Sequence, residues 1–122
     1  FPGIGTLLPL MLSEGVNKNK ITISQLVNLT SMNAAKIFCM YPIKGSLELN
    51  SDADITLIDL KKEQKVTSDL FGGFSDYIVY DGWKLKGWPV KTIVRGQTIA
   101  EDFQVIGKPG YGKLVSRKTN ST

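Results

Sequence analysis

Residues 80–96 read YDGWKLKGWPVKTIVRG and hold both tryptophans of the chain, Trp83 and Trp88, together with three glycines and Pro89. Glycine and proline punctuate the first ten positions, after which Val90, Ile93 and Val94 bring the β-branched pattern of a strand over Val90–Arg95. A further short strand is predicted at Gln97–Ala100, joined to the first around Arg95-Gly96. The region therefore reads as sheet, and the question is how far that character extends.

Moving toward the N-terminus, another strand is plausible at Lys65–Thr67, and a stronger signal precedes it. Leu47 and Leu49 flank Glu48, Ile55 and Leu57 flank Thr56, and Asn50-Ser51-Asp52 stands between the alternating runs, which predicts a hairpin. Asn50 tolerates a left-handed backbone, and Asp52 can accept from the amides that follow it.

The first forty residues have a different period. LLPLML at 7–12 is apolar all round, with Thr6 as candidate N-cap and Gly15 as candidate C-cap. Pro9 then belongs in the first turn, where its missing amide hydrogen has no helical partner anyway. VNKNK at 16–20 is a polar loop. A second helix is expected from Ser24 as N-cap, with Ile23 as the outer half of a hydrophobic staple and Leu26, Val27 and Leu29 or Thr30 facing inward, ending near Ser31. A third begins at Asn33 and runs through Ala34, Ala35, Ile37 and Phe38 before Pro42 blocks it.

Three short helices followed by strands, with the boundary at Pro42 to Gly45, make an α+β chain of two architectural units. A helical segment of about forty residues with one helix apolar all round does not readily bury itself. The chain, which opens on Phe1, is expected to be a cut piece whose packing partner lies outside it.

Composition narrows the chemistry. With 122 residues, 42% apolar content and a net charge of +4, the chain suits a soluble globular fold, and no basic stripe with interleaved aromatics points to nucleic acid. Cys39 alone cannot form an intramolecular disulfide, so a reduced, intracellular setting is expected. No apolar run approaches the length of a membrane span, and no signal-peptide order opens the chain. Two sequons, at Asn28-Leu29-Thr30 and Asn120-Ser121-Thr122, are read as chance matches.

The chain contains no histidine, which excludes Ser-His-Asp and Cys-His catalysis and every imidazole-based zinc site. Asp52 and Asp54, with Asp59 following, suggest an oxygen site for a hard cation, but without calcium-loop spacing Asp52 reads as a turn residue. FPGIG at 1–5 and GKPGYG at 107–112 lack the Lys-Ser/Thr ending of a phosphate loop. Cys39, within IFCM, reads as a small buried hydrophobe.

Four phrases, in this order, nearly cover the chain: FPGIGTLLPLML, LVNLTSMNAAKIFCMYPIKGSLELNSDADITLID, YDGWKLKGWPVKTIVRGQTI and GKPGYGKLVSR. In them the chain resembles the metal-dependent cyclic amidohydrolases: dihydroorotase, dihydropyrimidinase, hydantoinase and allantoinase. The resemblance implies the last helices of a (β/α)₈ TIM barrel followed by the C-terminal part of a small β-sandwich. On that reading residues 1–43 close the barrel, 44–101 belong to a composite sandwich, and 102–122 form an extended tail that lies across a neighbour. The Gly-Trp-Pro segment would lead into the last sandwich strand, with the tryptophans as packing anchors.

The resemblance also implies zinc, one or two ions held by histidines, an aspartate and often a carboxylated lysine, all upstream of Phe1. Hydroxide activated by the metal attacks the ring amide carbonyl in such enzymes, and the aspartate carries the proton to the leaving nitrogen. No catalytic residue and no metal ligand then falls in this chain, which alone should be inactive. Pro2 and Gly3 match the loop after the last barrel strand, whose backbone touches the substrate ring, and they are the candidate substrate-binding residues; a glycine that merely lets the chain turn is the competing reading of Gly3. The implied partners are the N-terminal remainder of the enzyme, a small cyclic amide and further copies in a dimer or tetramer, in the cytoplasm, with neither nucleic acid nor membrane.

Ala34 stands where relatives often carry proline, and Asn50 where they often carry glycine. FGGFSDYIVY at 71–80 lacks the polar, histidine-bearing pattern expected before YDGW, so the resemblance selects no subfamily. Two other readings stay open: a non-catalytic dihydropyrimidinase-related scaffold, and a free-standing β-rich binding module with a helical preface.

Overall fold

The computed structural model describes residues 3–72 and 76–116, and its order is helical first and β afterwards. α1 (Ile4–Leu10) passes without a break into a π-helical stretch, Met11–Val16. It starts earlier than predicted. Gly3, not Thr6, is the N-cap residue, while Thr6 is fully buried in the first turn and donates from both amide and hydroxyl to Gly3 O, at 3.3 and 3.0 Å. Pro9 therefore sits in the second turn rather than the first. Its ring crowds the carbonyl one turn back and its nitrogen donates nothing, and the helix widens into π geometry two residues later. The stretch also continues past Gly15 to Val16.

α2 (Ile23–Val27), a π stretch (Asn28–Met32) and α3 (Asn33–Ile37) form one continuous helix where two were expected. Its cap is Thr22 rather than Ser24: Thr22 Oγ1 accepts from Gln25 N at 3.1 Å and Gln25 Oε1 accepts from Thr22 N at 2.8 Å, a reciprocal capping box. Asn33 caps nothing because no glycine or proline interrupts the backbone before it, and Thr30 turns its hydroxyl back to Leu26 O at 2.9 Å instead of ending the helix. Leu26 and Ala35 are buried, but Val27, Leu29, Ile37 and Phe38 face outward. Cys39 is exposed at a left-handed φ of 58°, not buried as expected.

The described residues 46–54 form a loop and not the first arm of a hairpin. Leu47 and Leu49, 77% and 95% exposed, alternate with no strand beside them to reward the alternation. The turn chemistry survives in part: Asn50 adopts φ 72°, with Ser51 N donating to Glu48 O at 3.1 Å. Asp52 accepts from the Asp54 amide at 2.8 Å, but through its main-chain carbonyl, while its carboxylate turns to Lys44.

One antiparallel sheet follows, in the order β1 (Ile55–Lys65), β2 (Lys84–Val94), β3 (Gln97–Glu101) and β4 (Gln104–Val105). β1 is much longer than its alternating sequence suggested and ends at Lys65, with Val66 and Thr67 outside it. β2 likewise starts at Lys84, six residues before the expected Val90, so Gly87-Trp88-Pro89 lies inside the strand rather than leading into it. Pro89 is tolerated because β3 pairs only with Lys91 to Val94, leaving Pro89 beside β1 alone. The register slips between Leu57 and Ile58 and again between Asp59 and Glu63, where Asp59 Oδ1 accepts from Lys61 N and Lys62 N at 2.8 and 3.2 Å.

α1 packs on β2. Gly87, at φ 97°, permits the approach: a β-carbon there would lie 2.8 Å from Leu12 Cβ. Asn17 Nδ2 pins the same junction by donating to Lys86 O at 2.8 Å and Leu12 O at 3.2 Å. The core beside it joins Val66, Ile78, Leu85 and Trp88, with Leu10, Leu70, Phe71, Tyr80 and Phe103 closing around them. Trp88 is fully buried and its indole N–H donates to Leu85 O at 2.9 Å, as a packing anchor should, whereas Trp83 is half exposed against the edge of Tyr80.

Candidate functional site

Gly3 ends the described chain on its N-terminal side, and Pro2 lies outside the described residues. Gly3 has φ −109° and ψ −18°, a conformation open to any residue, so the turn into α1 does not call for glycine. Its carbonyl takes both Thr6 donors, which occupies the two lone pairs and leaves the Gly3 amide as the backbone group that this position offers. Thr6 is thereby a tether for the segment. Sequence reading missed it by assigning its hydroxyl to a cap.

The acidic cluster is organised around a cation. Lys44 Nζ meets Asp52 Oδ2 at 2.8 Å and also Asp54 Oδ2, while Asp54 Oδ1 accepts from Arg95 N at 2.8 Å. This ties the loop after the helices to the β2–β3 turn, where Arg95 takes φ 44° and Gly96 N donates to Ala53 O. Desolvation works against ionisation of Asp54, but hydrogen bonds from Lys44 and the Arg95 amide, with their charges, outweigh it and hold the carboxyl below its ordinary value. Desolvation equally opposes the charge on Lys44, yet hydrogen bonds to Asp52 and Asp54 carry its pKa above the ordinary one. Lys44 and Asp54 thus hold each other in the charged form. Nothing in the sequence pattern flagged Lys44, because its partners lie across a loop of irregular backbone.

These residues do not fit a zinc site. The two carboxylates are neutralised by an ammonium, Asp59 is engaged with its own backbone, and among the described residues no group of three or more Asp, Glu, Cys or His side chains could hold a metal ion. A cleft of about 350 Å³ does open between the long helix and the sheet, lined by Ser31, Ala35, Lys44, Thr56 and Thr92 among others. Its charged lining groups, Lys44 and Asp54, are the ones already paired with each other.

The tail is held to the same turn. The Arg95 guanidinium lies 4.4 Å from the Tyr111 ring centroid and donates to Tyr111 O, and Tyr111 Oη donates to Val94 O and Arg95 O at 3.2 and 3.3 Å. Asn28 of the first sequon lies within the long helix, and the second sequon falls outside the described residues. No helix among the described residues is long and apolar enough to cross a membrane.

Comparison with known proteins adds what the geometry alone does not contain. The profile of the amidohydrolase family matches residues 4–99. The chain is 40% identical over 116 residues to the L-hydantoinase of Paenarthrobacter aurescens, covering 95% of this chain and 25% of that protein. It is 36% identical over 116 residues to the dihydroorotase of Pyrococcus furiosus, covering 95% of this chain and 27% of the relative. A solved L-hydantoinase (dihydropyrimidinase) structure from Arthrobacter aurescens superposes with a TM-score of 0.90 at 40% identity, over 94% of this chain and 26% of that one. The chain spans about a quarter of the length of the curated relatives it matches.

Proposed function

Because the chain belongs to the amidohydrolase family, we propose that it is the C-terminal segment of a zinc-dependent cyclic amidohydrolase, hydrolysing a ring amide or imide C–N bond of the dihydroorotase or hydantoinase/dihydropyrimidinase kind. The observation that carries the reading is the match to L-hydantoinase over almost the whole chain, in sequence and in backbone. Residues 1–43 are assigned to the end of a (β/α)₈ barrel, 44–101 to part of a β-sandwich and 102–122 to an extended tail. Outward-facing Ile4, Leu29 and Ile37 on the helices, and Leu57 and Ile58 on the outer strand β1, suit surfaces covered by the remainder of such an enzyme.

Within this reading Pro2 and the Gly3 amide contact the cyclic substrate, and one or two zinc ions belong to residues outside this chain. The enzyme works in the cytoplasm as a dimer or tetramer. The segment itself contributes support: a helix–sheet junction, a charged latch and a positioned N-terminal turn.

The test compares the purified 122-residue chain with the full-length protein on dihydroorotate, dihydrouracil, hydantoin and allantoin. The full-length protein should open at least one of these rings, and the isolated chain none. Turnover by the isolated chain, or stoichiometric zinc on it alone, refutes the proposal, and a metal-free full-length protein inert toward all four rings would establish the scaffold reading instead.

A further inference from the structure

Gly5 sits two residues after Gly3, in the first turn of α1, and nothing about its backbone requires glycine; its surroundings do. A β-carbon on Gly5 would lie 2.7, 2.8 and 3.2 Å from Cδ1, Cγ and Cε1 of Phe71, so the phenyl ring rests directly on the helix backbone. We propose that Phe71 is a positioning residue for the substrate-contacting Gly3 segment, acting through Gly5. The inference rests on the reading that Gly3 touches substrate, and extends it to a residue that no part of that reading involves.

Phe71 can act as a stop because it is supported from behind. Its ring stacks on Trp88 with centroids 6.3 Å apart and planes 20° apart, and meets Phe103 edge-on at 6.4 Å. Phe103 in turn meets Trp88 at 5.4 Å. Trp88 is fully buried, and the turn carrying Phe103 places Asp102 and Phe103 at φ 44° and 65°, left-handed for two residues other than glycine. The pairing of Glu101 with Gln104 closes this two-residue hairpin turn and so fixes where Phe103 stands against Trp88 and Phe71. On the other side, Thr6 follows Gly5 immediately and holds the Gly3 carbonyl with two hydrogen bonds. A shift of the first turn away from Phe71 is therefore transmitted to Gly3 through one buried residue.

The experiment uses the full-length protein and whichever of the four cyclic amides it hydrolyses, with steady-state kinetics and thermal unfolding of every variant. Gly5→Ala should raise KM about tenfold with kcat changed less than about twofold, since displacement by a fraction of an ångström weakens ligand contact before it reaches the reacting groups. Phe71→Leu keeps an apolar side chain while removing the flat ring, so the Gly5→Ala/Phe71→Leu pair should recover at least half of that KM loss on a logarithmic scale. Gly3→Ala reports on the underlying reading: the backbone accepts alanine, but the added methyl stands on the carbon next to the amide that meets the ring, so it should raise KM by crowding the substrate. Thr22→Ala controls for stability, lowering it at a cap remote from the aromatic shelf with KM unchanged. If Gly3→Ala raises KM but the pair shows no recovery, the inference is wrong while the reading of Gly3 stands. An unchanged KM in Gly3→Ala removes both, and a Thr22→Ala effect on KM as large as that of Gly5→Ala shows that general loosening, not positioning, is at work.

Discussion

Replacing Gly87 by alanine tests the helix-on-sheet junction at its tightest point. Two costs combine there. Glycine alone adopts φ 97° without strain, and forcing alanine into that conformation costs about 1–3 kcal/mol. The new methyl would also lie 2.8 Å from Leu12 Cβ, an atom next to the helix backbone that cannot swing aside, so the π-helical stretch Met11–Val16 must lift from β2 at a further cost of about 1–3 kcal/mol. The expected destabilisation is thus about 2–6 kcal/mol, a large share of the ~5–15 kcal/mol that holds a typical domain folded. Urea unfolding of the full-length protein, followed by tryptophan fluorescence, measures it. Asn17→Ala supplies the internal control, because Asn17 bridges Lys86 O and Leu12 O across the same junction. In the parent it should cost about 1 kcal/mol, and in the Gly87→Ala background nearly nothing, because the lifted helix has already lost those bonds. Strict additivity, or a Gly87→Ala cost below about 1 kcal/mol, would refute the account.

Trp88→Ala should destabilise by about 3–5 kcal/mol in the same assay, since a fully buried indole and its bond to Leu85 O are both removed. Thr22→Ala should cost about 1 kcal/mol through the lost capping box, with Thr22→Ser restoring most of it. The latch gives a pH signature. Asp54 has a folded-state pKa below its ordinary 3.8, so its stabilisation is complete above that value and is lost as pH falls through the lower folded value. Lys44 is raised above 10.5, so its contribution is complete below that value and disappears as pH rises through the higher one. Asp54→Asn should therefore cost about 1–2 kcal/mol at neutral pH and flatten the acid limb of a melting-temperature profile; an unchanged acid limb would remove the latch from the account.

The order of helices before strands and the left-handed Asn50 could be read from residue types, because each depends on a preference local to a few positions: apolar period, and an amide side chain that tolerates positive φ; of the two tryptophans read as anchors, Trp88 is buried and Trp83 half exposed. The family, too, was legible in the four phrases that carry it. Helix starts were not. Thr6 and Ser24 look like caps locally, but the structure makes Thr6 a buried tether and gives the cap to Thr22, whose partner Gln25 completes the box.

Leu47 and Leu49 show the limit most clearly. Alternation stabilises a strand only when another strand lies alongside to bond it, and the partner of Ile55–Lys65 turned out to be Lys84–Val94, about thirty residues away in sequence. The Lys44 latch and the Phe71 shelf against Gly5 are of the same kind, contacts between segments whose residues carry no mark of one another. Short-range preference thus settled the order of helix before strand and the left-handed turn at Asn50, and composition settled that this chain brings no imidazole. Tertiary structure alone decided what those elements press against, because close packing is a property of pairs brought together by the whole backbone and not of any stretch taken singly.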